Sequence, residues 1–264
     1  MSNVQSPTSG VPRSQVHSEA PSNAEAQGAE TDFGRWTLDV GLTVTDLRKS
    51  FSSPTGERVE VLRGASFSAG AGEAIAIMGT SGAGKSTLLH LLGGLESADH
   101  GSIVAGNFTI NCAKAAALAR FRNAHIGFVF QFHHLMADLT AVENVSLPLR
   151  INRLSSRAAT FRAAEMLQQV GLDSRMANSL VGHISGGEQQ RVAVCRALIT
   201  RPSLVLADEP TGNLDAITGD EVVRTIVSYA QKTASLVIIA THNRAVAQIC
   251  DRTLMLTEGR LREA

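Results

Sequence analysis

Short apolar runs separated by turn residues open the structured part of the chain. The runs lie at residues 42–47, 58–62 and 65–67, with turn residues at 54–56 and again at 70–72. Runs punctuated in this way are typical of β-strands joined by tight connections. We therefore predict a small antiparallel sheet at the start of the domain.

From residue 74 onward, apolar strands alternate with stretches of helical spacing. Strands are predicted at 74–78, 126–130, 203–207 and 236–240, and helices at 87–92, 113–123, within 140–180, at 185–198 and at 220–230. Such alternation indicates a mostly parallel sheet with helices on both faces. The predicted fold class is therefore α/β, with a mostly parallel core sheet, an antiparallel β subdomain and an inserted helical subdomain at about 132–184.

The first 35 residues have a different composition from the rest. They are rich in Ser, Pro, Ala, Gln and Glu and contain few apolar residues. A segment of this kind cannot bury enough apolar surface to offset the entropy lost on ordering. We predict a disordered tail at 1–35 and one folded domain at 36–264.

Bulk composition narrows the classes of partner. Acidic and basic residues balance at 24 each, which gives no general attraction to nucleic acid or to an anionic membrane. The cysteines, Cys112, Cys195 and Cys250, are far apart and suit a reducing compartment. No apolar run approaches the roughly 18 residues of a membrane span, and the N-terminus has no apolar signal region. The composition predicts an intracellular protein without direct membrane insertion, which would reach a membrane only through a partner.

One octapeptide between a predicted strand and a predicted helix carries the strongest chemical signal. It fits the G-x-x-x-x-G-K-[ST] pattern of a nucleotide phosphate loop and consists of Gly79, Thr80, Ser81, Gly82, Ala83, Gly84, Lys85 and Ser86, followed by Thr87 in the helix. Glycines allow backbone N–H groups to turn toward phosphate oxygens, and the helix N-terminus adds a positive dipole. Lys85 is predicted to reach the β- and γ-phosphates, and the Ser86 hydroxyl to bind Mg²⁺.

Two carboxylates follow the apolar strand at 203–207. Asp208 is predicted to hold Mg²⁺ through water, and Glu209 to orient and deprotonate the water that attacks the γ-phosphate. An apolar strand that ends in acidic residues is weak evidence by itself. Downstream of a phosphate loop it predicts a hydrolytic site.

A second glycine-containing stretch begins the helix predicted at 185–198. Ser185 and Glu188 form an S-x-x-E capping box, so the stretch is explained by a well-capped helix alone. The alternative is functional, because Gly186 and Gly187 expose backbone N–H groups that could bind a phosphate.

Taken together, these motifs resemble the ATP-binding cassette family over about residues 42–261. The resemblance rests on the phosphate loop, Gln131 after a strand, the stretch 184–190, the Asp208-Glu209 pair, Asp215, and His242 after another strand, all in the family's order. It implies a P-loop NTPase of the ABC type that binds ATP and Mg²⁺. It also implies a head-to-tail homodimer in which Ser185, Gly186, Gly187 and Glu188 contact the nucleotide held by the other subunit.

The resemblance also assigns roles to single residues. It implies that Gln131 senses Mg²⁺ and the attacking water, that His242 contacts the γ-phosphate, and that Asp215 communicates across the dimer. Phe51 stands at the position of an aromatic ring that stacks on adenine. The alternative for Phe51 is a core position in the small sheet.

A narrower resemblance concerns the runs 90–95, 127–135, 142–149 and 207–215. They are similar to the ATPase subunits of bacterial transporters that release lipoproteins from the inner membrane toward the outer membrane. This implies a peripheral subunit on the cytoplasmic face of the inner membrane, bound to integral membrane subunits. The alternatives are an ATPase of a macrolide- or peptide-exporter-like complex, a cell-division complex, or a non-transport cassette ATPase.

The segment 132–139 follows Gln131 and mixes bulky apolar residues with polar ones. The resemblance implies that this region lines the groove for a short helix of the membrane subunit, and an apolar groove suits an amphipathic helix. The alternative is that these side chains pack only in the core of the helical subdomain.

Overall fold

The computed structural model describes Met1 and residues 41–52 and 56–264. The predicted disordered tail therefore lies outside the described residues, except for Met1.

A four-stranded antiparallel sheet forms the first layer. Its spatial order is β2-β1-β4-β5, and its strands are β1 (Leu42–Ser52), β2 (Arg58–Ala69), β4 (His100–Ala105) and β5 (Phe108–Thr109). The predicted antiparallel sheet is confirmed. β1 extends beyond the predicted run, and the two runs at 58–62 and 65–67 form one strand. β4 was not predicted, because its opening residues, His100, Gly101 and Ser102, have low strand propensity.

The core sheet has six strands in the order β10-β9-β3-β8-β7-β6. Five of them pair in parallel, and β10 pairs antiparallel with β9. The strands are β3 (Ala74–Met78), β6 (Ile126–Val129), β7 (Leu204–Asp208), β8 (Leu236–Thr241), β9 (Arg252–Thr257) and β10 (Arg260–Glu263). The predicted mostly parallel sheet is confirmed, while β9 and β10 were not predicted.

Helices connect and cover these strands. They are α1 (Lys85–Leu92), α2 (Ala115–His125), α3 (Ala141–Ile151), α4 (Ser156–Gln169), α5 (Ser174–Ala177), α6 (Gly186–Leu198), α7 (Ala216–Thr233) and α8 (Arg244–Ile249), with short 3-10 turns at Ile110–Cys112 and Val181–His183. The stretch predicted as helical at 140–180 is three helices, each opened by a polar cap: Thr140, Ser155 and Asp173. These helices and α6 share an apolar core of their own, which includes Val145 and Leu167.

Strand register brings three loops to one edge of the core sheet. Met78 of β3 pairs with Thr241 of β8, and Asp208 of β7 pairs with Ala240 of β8. The strands are parallel and in register, so the segments that follow β3, β7 and β8 leave the sheet side by side. This is the edge where ligands bind in open α/β sheets.

Among the described residues, none of the helices combines the length and the apolar character that crossing a bilayer would require.

Candidate functional site

The segment between β3 and α1 forms a glycine cradle. Gly82 and Gly84 have positive φ angles of 79° and 100°, in the region that favours glycine. A Cβ on Gly84 would lie 2.7 Å from a side-chain carbon of Val61, and one on Gly79 would lie 2.7 Å from the Leu256 carbonyl oxygen. The loop therefore needs glycine both for its backbone shape and for the space around it. It leads directly into the N-terminus of α1, where backbone N–H groups can receive a phosphate.

Lys85 extends across this loop. Its ammonium donates to the carbonyls of Gly79 at 3.0 Å and Thr80 at 3.2 Å, and the residue is 8% exposed. The same Nζ lies 3.7 Å from Oε1 of Glu209. A largely buried cation is thus held between the phosphate loop and the acid that follows β7, where it can meet an anionic ligand.

Glu209 follows β7 at the edge of the core sheet where the loops after β3, β7 and β8 meet. Its φ is 44°, an uncommon conformation for a residue with a Cβ, and its N–H donates to the Ala240 carbonyl at 2.9 Å. Nδ1 of His242 lies 2.9 Å from Oε1, and the Thr241 hydroxyl donates to Oε2 at 3.3 Å. The carboxylate is therefore fixed from several sides, whereas the His242 side chain remains 70% exposed.

Asp208 and Ser86 offer oxygen atoms beside Glu209. Burial raises the pKa of the Asp208 carboxyl above its ordinary value, and a hydrogen bond with the Ser86 side chain opposes that rise. Oδ1 of Asp208 is buried and has no hydrogen-bond partner among the described residues. A buried acceptor without a partner is uncommon, and carboxylate and hydroxyl oxygens are the ligands that Mg²⁺ prefers. The residues present therefore fit a magnesium ion.

Gln131 lies against the turn that follows Glu209. A Cβ on Gly212 would come 3.1 Å from Nε2 of Gln131, and the Asn213 side chain donates to the Gln131 carbonyl at 3.1 Å. The segments after β6 and β7 are thus joined directly. The contacts of Asn213, and of Thr241 at the end of β8, were not predicted from the sequence, because a single polar residue gives no signal of its partner.

The N-terminus of α6 has the predicted capping box. Ser185 accepts a hydrogen bond from the Glu188 N–H at 3.4 Å, and its own N–H and hydroxyl donate to the Glu188 carboxylate at 2.7 and 2.8 Å. The bond from the Ser185 backbone holds the pKa of Glu188 below its ordinary value. Gly186 has open space around it. The helix end is therefore complete as a cap, and Gly186 in its first turn is exposed.

Asp215 has a local role that is visible in the structure. It caps the N-terminus of α7 and accepts bonds from the N–H groups of Ile217 at 3.1 Å and Thr218 at 3.0 Å. The bond from Thr218 holds the pKa of this carboxyl below its ordinary value. Its predicted part in dimer communication stays a prediction.

Phe51 is not a core residue of the small sheet. It is 41% exposed near the end of β1, and the Lys49 ammonium lies 5.0 Å from the ring centroid. Lys49 itself is buried and is fixed by Glu96 and by the Ser97 carbonyl, each at 2.7 Å. The alternative of a core position is therefore wrong, and stacking on adenine stays a prediction.

Comparisons of the sequence with a family model and with known relatives agree on one family. A family model described as ABC transporter matches residues 62–212. The chain is 48% identical to the lipoprotein-releasing system ATP-binding protein LolD of Geobacter metallireducens, covering 83% of this chain and 97% of the relative. It is 45% identical to the LolD of Ruegeria sp., covering 85% and 99%. It is 44% identical to the LolD of Legionella pneumophila, covering 84% and 97%.

Solved structures give the same fold. The ATP-binding cassette MJ0796, described as a dimer in a post-hydrolysis state bound to ADP and Pi, superposes with a TM-score of 0.79. It is 34% identical and covers 84% of this chain and 97% of its own. A second dimeric structure of the same cassette also gives a TM-score of 0.79, at 35% identity.

Proposed function

The chain belongs to the ABC transporter family, as an ATPase of that family, and from this premise we propose that it drives the release of lipoproteins from the inner membrane toward the outer membrane. Relatives from three genera carry the lipoprotein-releasing name and align over nearly their whole length. These names favour lipoprotein release over the exporter, cell-division and non-transport alternatives.

One observation carries the proposed hydrolytic chemistry: the carboxylate of Glu209 meets both Lys85 and His242 at the edge of the sheet. Lys85 lies 3.7 Å away and is ready to contact the β- and γ-phosphates of ATP. His242, at 2.9 Å, can contact the γ-phosphate, while Glu209 accepts a proton from the attacking water. The fixed geometry of Glu209 means that little reorganisation is needed when ATP binds.

Magnesium completes this proposal. Ser86, Asp208 and Gln131 would hold the ion, Asp208 through water. When bound, Mg²⁺ neutralises charge on the phosphate oxygens. The unpartnered Oδ1 of Asp208 supports this assignment.

We propose a head-to-tail homodimer. The N-terminus of α6, with Ser185, Gly186, Gly187 and Glu188, would contact the nucleotide held by the phosphate loop of the other subunit, and Asp215 would communicate between the two. The exposed, self-capped end of α6 supports this, as do the dimers of the similar cassette MJ0796. Phe51 would stack on adenine through its exposed ring.

A partner surface for the membrane subunits is proposed at the segment 132–139. Phe132 and Met136 are 67% and 56% exposed, although both are large and apolar. Buried Asn144 holds the backbone of Met136, accepting from its N–H at 2.8 Å and donating to its carbonyl at 3.1 Å. Leu135, in contrast, packs against the core of the helical subdomain. The segment thus divides between core and surface, and the surface part suits a helix of an integral membrane partner on the cytoplasmic face of the inner membrane.

The test compares two substitutions in the transporter reconstituted with its membrane subunits. Met136→Glu places a charge where an apolar contact is proposed. It should leave the isolated chain folded and able to bind ATP, because the Met136 side chain is exposed, but it should greatly reduce lipoprotein release. Phe161→Glu is the matched control: Phe161 is also a large apolar residue, 62% exposed, but it belongs to α4 and not to the segment 132–139. Normal release by Met136→Glu would contradict the proposed surface, and release of no lipoprotein by the wild-type transporter would contradict the proposed cargo.

A further inference from the structure

Helix α6 contains a buried glutamine in which, among the described residues, the amide nitrogen has a hydrogen-bond partner and the amide oxygen has none. Gln190 is 1% exposed, and its Nε2 donates to the carbonyl of Pro210 at 2.8 Å. Its Oε1 is buried and has no hydrogen-bond partner among the described residues. A buried amide oxygen without a partner carries a desolvation cost. An apolar side chain of similar size would avoid this cost, so stability alone does not explain an amide at this position.

The bond reaches the backbone immediately after Glu209. Pro210 follows Glu209 directly, and the Gly212 N–H donates to the Glu209 carbonyl at 3.0 Å, which closes a tight turn. Glu209 itself has a φ of 44°. Pro210 cannot donate a backbone hydrogen bond, so its carbonyl is the polar group through which the backbone of this residue can be held.

We propose that Gln190 is a positioning residue that ties α6 to the turn carrying Glu209. Its amide fixes the Pro210 carbonyl and, through it, the direction in which the Glu209 carboxylate leaves the sheet. The carboxylate must lie within hydrogen-bond distance of the attacking water, so a small displacement of this turn lowers the rate without changing the phosphate contacts.

The inference rests on the proposed function, and it extends that function to the relation between the two ATP sites of a dimer. Ser185 at the start of α6 serves the site whose phosphate loop belongs to the partner. Glu209 serves the site of its own phosphate loop. Gln190 lies on the same helix as Ser185 and contacts the turn of Glu209, so it links the two sites within one chain. A nucleotide that shifts the N-terminus of α6 would therefore change the alignment of Glu209 in the other site, which is a coupling between two distinct sites.

The experiment replaces Gln190 by methionine, which has similar length but no hydrogen-bonding amide. In the assembled transporter, Gln190→Met should lower ATP turnover about ten- to a hundredfold. The Kd for ATP should stay within about twofold of wild type. The Hill coefficient for ATP should fall toward unity. The melting temperature should change little, because losing the bond to Pro210 is offset by removing the unpartnered Oε1.

Tyr229→Phe is the matched control. The Tyr229 hydroxyl also donates to a proline carbonyl, that of Pro202 at 3.1 Å, but Pro202 precedes β7, at the opposite end of that strand from the Glu209 turn. It should keep wild-type turnover and Hill coefficient. Wild-type turnover and cooperativity in the Gln190→Met transporter would overturn the inference. A Hill coefficient of unity in the unmodified transporter would also overturn it. So would a loss of turnover in Gln190→Met that a lower melting temperature explains. Glu209→Gln, measured in parallel, separates the two conclusions: activity in that variant contradicts the proposed function, whatever Gln190 does.

Discussion

The two polar clusters assigned to ATP chemistry differ in how they are held. Around Glu209, side chains and backbone from segments far apart in sequence converge: Lys85, Thr241 and His242 all lie within 3.7 Å of its carboxylate. At the start of α6, the bonds of Ser185 are local and return to Glu188, three residues later.

The two clusters therefore depend on different parts of the fold. The Glu209 cluster is a long-range arrangement, and it depends on the register of three parallel strands. The capping box at Ser185 is formed within its own helix, by Ser185 and Glu188. The proposed head-to-tail dimer would bring the Glu209 cluster of one chain together with the α6 end of the other.

The largest effect is expected at the long-range cluster. Glu209→Gln keeps the size of the side chain but removes the proton acceptor, so ATP turnover should fall by about 10²–10⁴. ATP should still bind, because Lys85 and the phosphate loop are unchanged. Turnover by steady-state phosphate release and binding by equilibrium titration check the two parts separately.

Glu258→Gln is the matched control for that substitution. Glu258 is exposed in the turn between β9 and β10 and, like Glu209, has a positive φ, 51°. The same chemical change on the same kind of backbone should leave turnover unchanged there. Near-normal hydrolysis by Glu209→Gln would show that the fixed carboxylate is not the base.

Mixing of variants tests whether the two clusters belong to different chains in one site. Lys85→Ala and Ser185→Ala should each be inactive as homodimers. Mixed, they should regain activity, because one of the two sites in each heterodimer then has both an intact phosphate loop and an intact α6 end. ATPase assays on the assembled transporter, with differently tagged chains purified in tandem, measure this recovery.

A second mixture supplies the control. Lys85 and Glu209 lie 3.7 Å apart in the same chain, so they belong to the same site. Lys85→Ala mixed with Glu209→Gln should therefore regain nothing. Recovery in this second mixture, or none in the first, would contradict the division of the site between chains.

The same contrast explains what sequence could predict. The phosphate loop, the Asp208-Glu209 pair and the capping box are local patterns, so their elements were predicted correctly. The bonds from Thr241, Asn213 and Gln190 join segments that are remote in sequence, and a lone polar residue does not reveal its partner. β4 was missed because its first three residues have low strand propensity, and β10 because three of its four residues are charged.

Asp208 gives the smallest expected effect, and its sign distinguishes binding from stability. Burial raises the pKa of this carboxyl in the folded chain, so the folded state binds its proton more tightly than the unfolded state. Stability therefore decreases as pH rises from the ordinary carboxyl pKa through the raised one, and above that window the cost is fully present. In nucleotide-free chains at neutral pH, Asp208→Asn should raise the melting temperature by on the order of a few degrees.

The check is a comparison of melting curves across pH. The difference between Asp208→Asn and wild type should be largest at neutral pH and should shrink as pH falls through the window, because acid effects on other carboxyls occur in both chains. At the same time, Asp208→Asn should weaken Mg²⁺-dependent ATP binding, since it replaces the unpartnered, negatively charged oxygen proposed to serve the ion. A variant that melts lower than wild type at neutral pH would show that the ionised carboxylate is stabilised by its surroundings in the absence of metal. Asp208 would then have a stabilising partner without Mg²⁺, which would contradict its assignment as a residue that holds the ion.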